Sequence, residues 1–275
     1  MPRKLFCELG PWAWWISLRK VRALRHARNL LSRERIARQK DTTPLPVKVH
    51  AHKLLLRRTL GEVDMRMQEN KAHNLALAAA AVNGLLIAPG ETFSFWALVG
   101  NSTTKKGYRE GPYLSKSQML EASVGGGICQ LTNVLHWLAL HSPLDITEHH
   151  HHDHLDLFPM PEGTVPPFGC NTSINYNNLD YRLCNGTEQP FQLLCWTDET
   201  HLHGELRTDK ALPLRWSISE TESRFVREAD GLYRVNALER RTVDPVTGKI
   251  VARKIIRRSH AKVMYDEAHI TGEIH

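Results

Sequence analysis

The sequence predicts an α+β fold: a helix-bearing core with a cysteine at one helix N-terminus, followed by a mainly antiparallel β part. Three observations carry this. Residues 66–83 hold Met67, Leu75, Ala78, Ala79 and Val82 in an alanine-rich stretch that favours helix. Leu131, Val134, Leu135 and Leu138 recur at i, i+3, i+4 and i+7, one apolar stripe of a second helix. From Tyr181 onward, period-two or continuous apolar runs alternate with turn residues, as strands and hairpins do.

The chain opens with a basic, Trp-containing arm, residues 1–45. Residues 1–40 hold eleven Lys and Arg against Glu8 and Glu34, a net +9. The whole 275-residue chain carries +7, so the body is near neutral at −2, and a nucleic-acid-binding body has no support. Trp12, Trp14, Trp15 and Ile16 precede a helix-like run over 18–39. That apolar patch is too short to span a bilayer and has no small-residue cleavage site after it. Indoles beside Lys and Arg suit peripheral contact with a membrane interface. The alternative is a solvated basic helix that tucks its tryptophans against the body. Without an export signal, the expected location is the cytoplasm, peripheral to the inner face of the membrane. Five cysteines, odd in number and without a CxxC pair, fit a reducing compartment.

Thr43, Pro44, Leu45 and Pro46 read as a linker. Residues 47–60 hold a mostly extended or short helical piece with basic residues. The helix over 66–83 ends at Gly84. Its Asn70, His73 and Asn74 share a face assigned to capping or solvent. Leu85, Leu86 and Ile87 lead to a turn at Pro89 and Gly90, then a short strand over 92–95. Residues 100–112 read as a loop, and 113–124 carry a mixed pattern. A short strand over 143–147 precedes the histidines. The later strands are expected at 181–184, 191–197, 203–206, 214–219, 225–227 and 232–235. Residues 239–243 and 250–256 form a hairpin around the turn 244–249. Asn185-Gly186 carries a further hairpin signal. The last residues, from Asp266, should fray.

The chemistry concentrates between Gly125 and His154. Gly125, Gly126 and Gly127 precede Ile128, Cys129 and Gln130, so a thiol stands where a helix begins. Backbone N–H groups and the helix dipole there stabilise a thiolate and should lower its pKa below about 8.5. Helical spacing puts Cys129 on a face with Thr132, Asn133 and His136, away from the apolar stripe. About twenty residues on come His149, His150, His151, His152, Asp153 and His154. A thiol with an imidazole is the logic of a Cys-His nucleophile. His150 and His152 would alternate onto one face of a strand, with His149 and His151 on the other. Asn171, Asp153, Asp156 and Asp180 are candidates for orienting the histidine. The turn residues 125–127 and Gln130 are candidate substrate-binding groups, with the Gln130 N–H toward an oxyanion. A rival use of the cluster is a zinc site; the primary reading needs no cofactor.

Pro89-Gly90-Glu91-Thr92-Phe93-Ser94-Phe95, Gly100, Gly107-Tyr108, Gly125-Gly126-Gly127-Ile128-Cys129-Gln130, the 148–152 stretch and Asn178-Leu179-Asp180-Tyr181-Arg182 together resemble the VanW family, over residues 64–207. The resemblance implies a bacterial protein linked to the cell envelope or glycopeptide resistance, and it prefers His150 and His152 over their neighbours. On it, 46–208 form the VanW-like core and 209–275 a β-hairpin-rich extension. Three readings follow: a thiol-dependent acyl-transfer or amide-hydrolysing enzyme on a cell-wall precursor or peptide, using Cys129, His150 or His152, and Asn171 or Asp180; a non-catalytic binding module for envelope or peptidoglycan peptides; or a His-cluster metal protein.

Overall fold

A computed structural model describes residues 6–57, 64–114, 120–151, 155–160, 163–270 and 274–275. The elements run, in chain order, α1 (Pro11–Leu31), β1 (Arg35–Ile36), β2 (Val47–Leu55), α2 (Met65–Val82), β3 (Leu85–Ile87), β4 (Glu91–Ser94) and α3 (Phe95–Val99). Then come β5 (Glu110–Leu114), β6 (Leu120–Val124), α4 (Cys129–Leu140), β7 (Asp145–Glu148), β8 (Leu155–Asp156) and β9 (Arg182–Cys184). The last are β10 (Phe191–Thr197), β11 (His201–Thr208), β12 (Arg215–Glu228), β13 (Gly231–Val243) and β14 (Ile250–Val263). The α+β expectation holds, with a C-terminal part of mostly antiparallel sheet.

Helices α2 and α4 lie against the sheet ordered β2-β11-β10-β3. Asp64 caps α2, accepting from the N–H of Arg66 at 2.8 Å. Its alanines pack Leu75, Ala78, Ala79 and Val82 into the core. The α4 stripe, Leu131, Val134, Leu135 and Leu138, is wholly buried, as its periodicity predicts. Gly204 on β11 is what lets α4 ride close to the sheet: a Cβ there would overlap Val134. A second sheet, β1-β4-β9-β7, contributes Phe93, Tyr181 and Leu183 to the same core.

The C-terminal strands form a long meander, β12-β13-β14, with β8 added in parallel at its edge. It docks on the outer side of α4, where Trp137 and Leu140 meet Cys170 and Leu238. The strands are longer than their apolar runs suggest, because polar residues continue them: β12 runs through Glu220 and Thr221, with a register shift before Arg224. The turn after β13 is as expected, with the Asp244 carboxylate accepting from the N–H of Val246 at 2.8 Å.

Four local expectations change. Helix α1 spans the aromatic patch itself rather than residues 18–39, because Pro11 is well suited to the first helical turn. The linker residues 43–46 are strapped to the sheet: Gln192 accepts from the N–H of Leu45 at 2.8 Å and donates to the carbonyl of Thr43 at 2.9 Å. Asn185-Gly186 makes no hairpin, since β9 and β10 belong to different sheets. The buried Asn185 amide instead donates to the carbonyls of Ile87 and Gln189, steering the chain from one sheet to the other. The tail is held too, with the His275 N–H donating to Phe225 at 2.9 Å. Among the described residues no helix is long and apolar enough to cross a membrane.

Candidate functional site

The glycine turn is built by α2. Asn74, fully buried, accepts from the N–H of Arg109 at 2.8 Å and donates to the carbonyls of Arg109 at 2.9 Å and Gly126 at 3.1 Å. Asn70 donates to the carbonyl of Glu110 at 2.8 Å, and a His73 ring nitrogen lies 3.0 Å from the carbonyl of Gly107. The α2 face assigned to capping or solvent therefore holds the 107–111 segment and the turn. Their signal was a run of amides inside an alanine-rich helix, where a buried polar group must find partners. Gly127 has φ +87° and a Cβ there would overlap the Lys71 stem; a Cβ at Gly126 would strike the carbonyl of Gly111. Two of the turn's donors are engaged within the fold: the Gly125 N–H bonds Arg109 at 2.9 Å and the Gly126 N–H bonds Ser123 at 2.8 Å. Gln130 donates its N–H to Gly127 at 3.1 Å and its side-chain amide to Leu55 at 2.6 Å.

Cys129 begins α4, as expected, but its thiol is not lowered. Burial raises it, and this outweighs the buried Lys71 ammonium and the N–H groups of Cys129 and Gln130, which all act downward. Among the described residues no imidazole hydrogen-bonds Cys129 or contributes to its shift. His152, Asp153 and His154 lie outside the described residues. The segment after Cys170 packs on the same α4 face, leaving Cys129 and Asn133 partly exposed. The N–H and hydroxyl of Thr172 both donate to the Asn133 side chain at 2.8 Å, and Thr132 and Thr172 share a short hydroxyl contact.

The histidines divide differently from the strand reading, because β7 stops at Glu148 and residues 149–151 are irregular. His149 and His151 converge on the buried His136, with ring centroids at 3.9 Å for His136–His149 and 3.8 Å for His149–His151. The Asn171 carbonyl meets His149 at 3.2 Å and His151 at 3.1 Å, and Tyr181 meets His136 at 3.2 Å. So it is the backbone of Asn171 that holds imidazoles. Burial first, then the neighbouring imidazoles, lowers His149 to about 3 and His136 well below its ordinary value. His136 is seven residues past Cys129, about 10 Å along the helix axis. His150, the preferred residue, instead meets Glu148 at 3.1 Å. His136 was legible on the Cys129 face of α4, but spacing alone did not show its partners. Among the described residues no three His, Cys, Asp or Glu side chains are placed to hold a metal ion.

Asp180 is not aimed at a histidine. It accepts from Ser94 at 2.6 Å, from the N–H of Trp96 at 3.1 Å and from Arg182 at 2.9 Å. Beside it, Glu148 receives Arg25 of α1 in two prongs, at 2.9 and 2.5 Å, and the N–H of Asp180 at 2.9 Å. Burial alone would raise the Glu148 carboxyl. Arg25, the Asp180 N–H and His150 outweigh it and bring Glu148 to about 2. Arg182 also pairs with Glu34 and reaches Asn29 at 2.8 Å. A cavity of about 300 Å³ lies here, between α1 and the body, lined by Arg25, Ser94, Trp96, Tyr176, Asp180 and Arg182 among others.

The chain resembles known proteins over much of its length. A family profile described as "VanW like protein" matches residues 70–207. The chain is 35% identical over 202 residues, 74% of its length and 72% of the relative's, to "Vancomycin B-type resistance protein VanW" of Enterococcus faecalis. It is 34% identical over 122 residues to "Uncharacterized protein YoaR" of Bacillus subtilis, covering 44% of this chain and 38% of that one. No solved structure matches. The matched span runs from α2 to β11 and contains the glycine turn, α4, the histidines and Asp180, and on these matches the chain belongs to the VanW family.

Proposed function

We propose that this chain serves glycopeptide resistance by acting through Cys129 on an acyl or amide group of a cell-wall precursor, at the cytoplasmic face of the envelope. The observation that supports this is the seat of Cys129: the first residue of α4, behind a turn that packing restricts to glycine, with a buried ammonium, Lys71, acting on its thiol. The Cys129 sulfur would add to a carbonyl as its thiol proton is given up, that proton would leave on the expelled amine, and the thioester left behind would be resolved by water or a second amine. Lys71, which sequence reasoning missed, takes the histidine's place as the cation that acts on the thiol among the described groups. All five cysteines are free, in keeping with a reducing compartment.

The test is alkylation of Cys129 against pH in the full chain, with Lys71→Met alongside. A Lys71→Met variant that reacts more slowly near neutrality, with its midpoint moved upward, and a Cys129→Ala variant that abolishes cleavage or transfer on muropeptide fragments, support the reading. A thiol indifferent to Lys71, with turnover unchanged in Cys129→Ala, sinks it.

Two observations favour a second reading, a binding module: burial dominates the thiol, and the Gly125 and Gly126 N–H groups are engaged internally. In that case Cys129→Ser keeps full affinity for the same fragments and no turnover is found with either form.

A further inference from the structure

We propose that the N-terminal end of α1 is a docking element for an anionic lipid surface. Helix α1 is anchored at its C-terminal half and bare at its N-terminal half. Arg25 pairs with Glu148, the Arg22 carbonyl accepts from Asn177 at 2.8 Å, and Asn29 accepts from Arg182 at 2.8 Å. The other half carries Trp12, Trp14, Trp15 and Ile16, exposed by 59, 47, 50 and 44%, with Phe6 and Leu9 beside them. Of the residues 11–16, Ala13 alone is buried. These side chains cover more than one side of the helix, so the apolar character is segregated along the axis rather than in a lateral stripe. Such a helix presents its end, not its flank.

The charge identifies the occupant. Arg19 and Lys20 come one turn after Trp15 and are exposed. Arg19 stacks its guanidinium 3.8 Å over the Trp15 ring, so cation and indole form one unit. Of the two acidic residues in 1–40, Glu34 is paired with Arg182. A second copy of this chain would bring the same excess of positive charge and be repelled. A nucleic acid would match the charge but leave several large apolar groups in water. An anionic bilayer surface satisfies both, with indoles at the headgroup boundary and cations among the phosphates. Without a helix able to span the bilayer among the described residues, the contact is interfacial.

The experiment uses the purified full chain and flotation with vesicles of phosphatidylcholine alone and of phosphatidylcholine with phosphatidylglycerol. The chain should float with the second and not the first, with a blue shift of tryptophan emission. Because the three indoles are exposed, Trp12→Ser/Trp14→Ser/Trp15→Ser should keep the fold, checked by circular dichroism. It should lose flotation at least about tenfold and lose the blue shift. Arg19→Glu/Lys20→Glu should remove the preference for the anionic vesicles. Failure of the parent chain to float overturns the proposal. So does equal flotation of the triple-serine variant, or a triple-serine variant that differs only by dissociating an oligomer in the absence of vesicles. Turnover or binding at Cys129 does not enter these readouts.

Discussion

Arg25, in the C-terminal half of α1, grips Glu148, the last residue of β7, across 123 positions of chain with two guanidinium–carboxylate bonds. Both side chains are largely withdrawn from water, at 10 and 16% exposure. Geometry of this kind is stronger than a surface ion pair because both prongs are fixed and screening is reduced.

Arg25→Met should therefore loosen α1. The loss should be about 2 kcal/mol in urea unfolding, less than for a fully orphaned charge, because Arg182 and the Asp180 N–H stay with Glu148. Limited proteolysis should cut after α1 in the variant first. A variant as stable and as protected as the parent would show that the pair holds nothing.

Acid should destabilise the fold before most carboxylates titrate. Burial and neighbouring imidazoles lower His149 to about 3, and His50 and His52 to about 4. Unfolded imidazoles titrate near 6.5, so between these values the unfolded chain binds more protons. Stability is thus complete above about pH 6.5 and falls as the pH drops toward 4. His149 alone contributes a slope of at most about 1.4 kcal/mol per pH unit. Denaturation midpoints that stay level from pH 7 to pH 5 would contradict neutral, buried rings.

Gly127→Ala should cost about 2 kcal/mol or more, since it combines φ +87° with overlap on the Lys71 stem. Gly90→Ala, at φ +75° but with nothing nearby, should cost less, about 1 kcal/mol. Equal losses in thermal melts would mean that packing against Lys71 is not what restricts the turn.

Leu238→Ala should open the contact between the C-terminal meander and α4. The residue is buried beside Trp137, Leu140 and Cys170, and the truncation should cost about 3 kcal/mol. Cys170 is the reporter. Burial pushes its thiol up to about 12, so it should resist alkylation in the parent and react in the variant. Unchanged protection would place the opening elsewhere.

Local periodicity made much of the fold legible. The α4 stripe and the turn at Asp244 stand where it put them, because local rules decide apolar stripes and Asx turns. Pairing was not legible: Asn185-Gly186 looks like a hairpin until β9 is found beside β4 and β7. The candidate site divides the same way. Cys129 at a helix start could be read from the glycines before it. Lys71, Asn74 and His136 could not be assigned, because their roles depend on which polar residues of α2 and α4 the fold buries. The preference for His150 and His152 came from the family resemblance, and the alternation that set them on a face apart from His149 and His151 assumed a strand that in fact ends at Glu148.

The Gln192 clamp on residues 41–45 has a mechanical consequence. The side chain binds the carbonyls of Asp41 and Thr43 and the N–H of Leu45 from the middle of the sheet that carries α4. The segment that joins α1 to β2 is thus a bracket and not a leash. Whatever meets the exposed end of α1 meets a helix tied to the body at Arg25 and Asn29 and followed by a segment that Gln192 holds down.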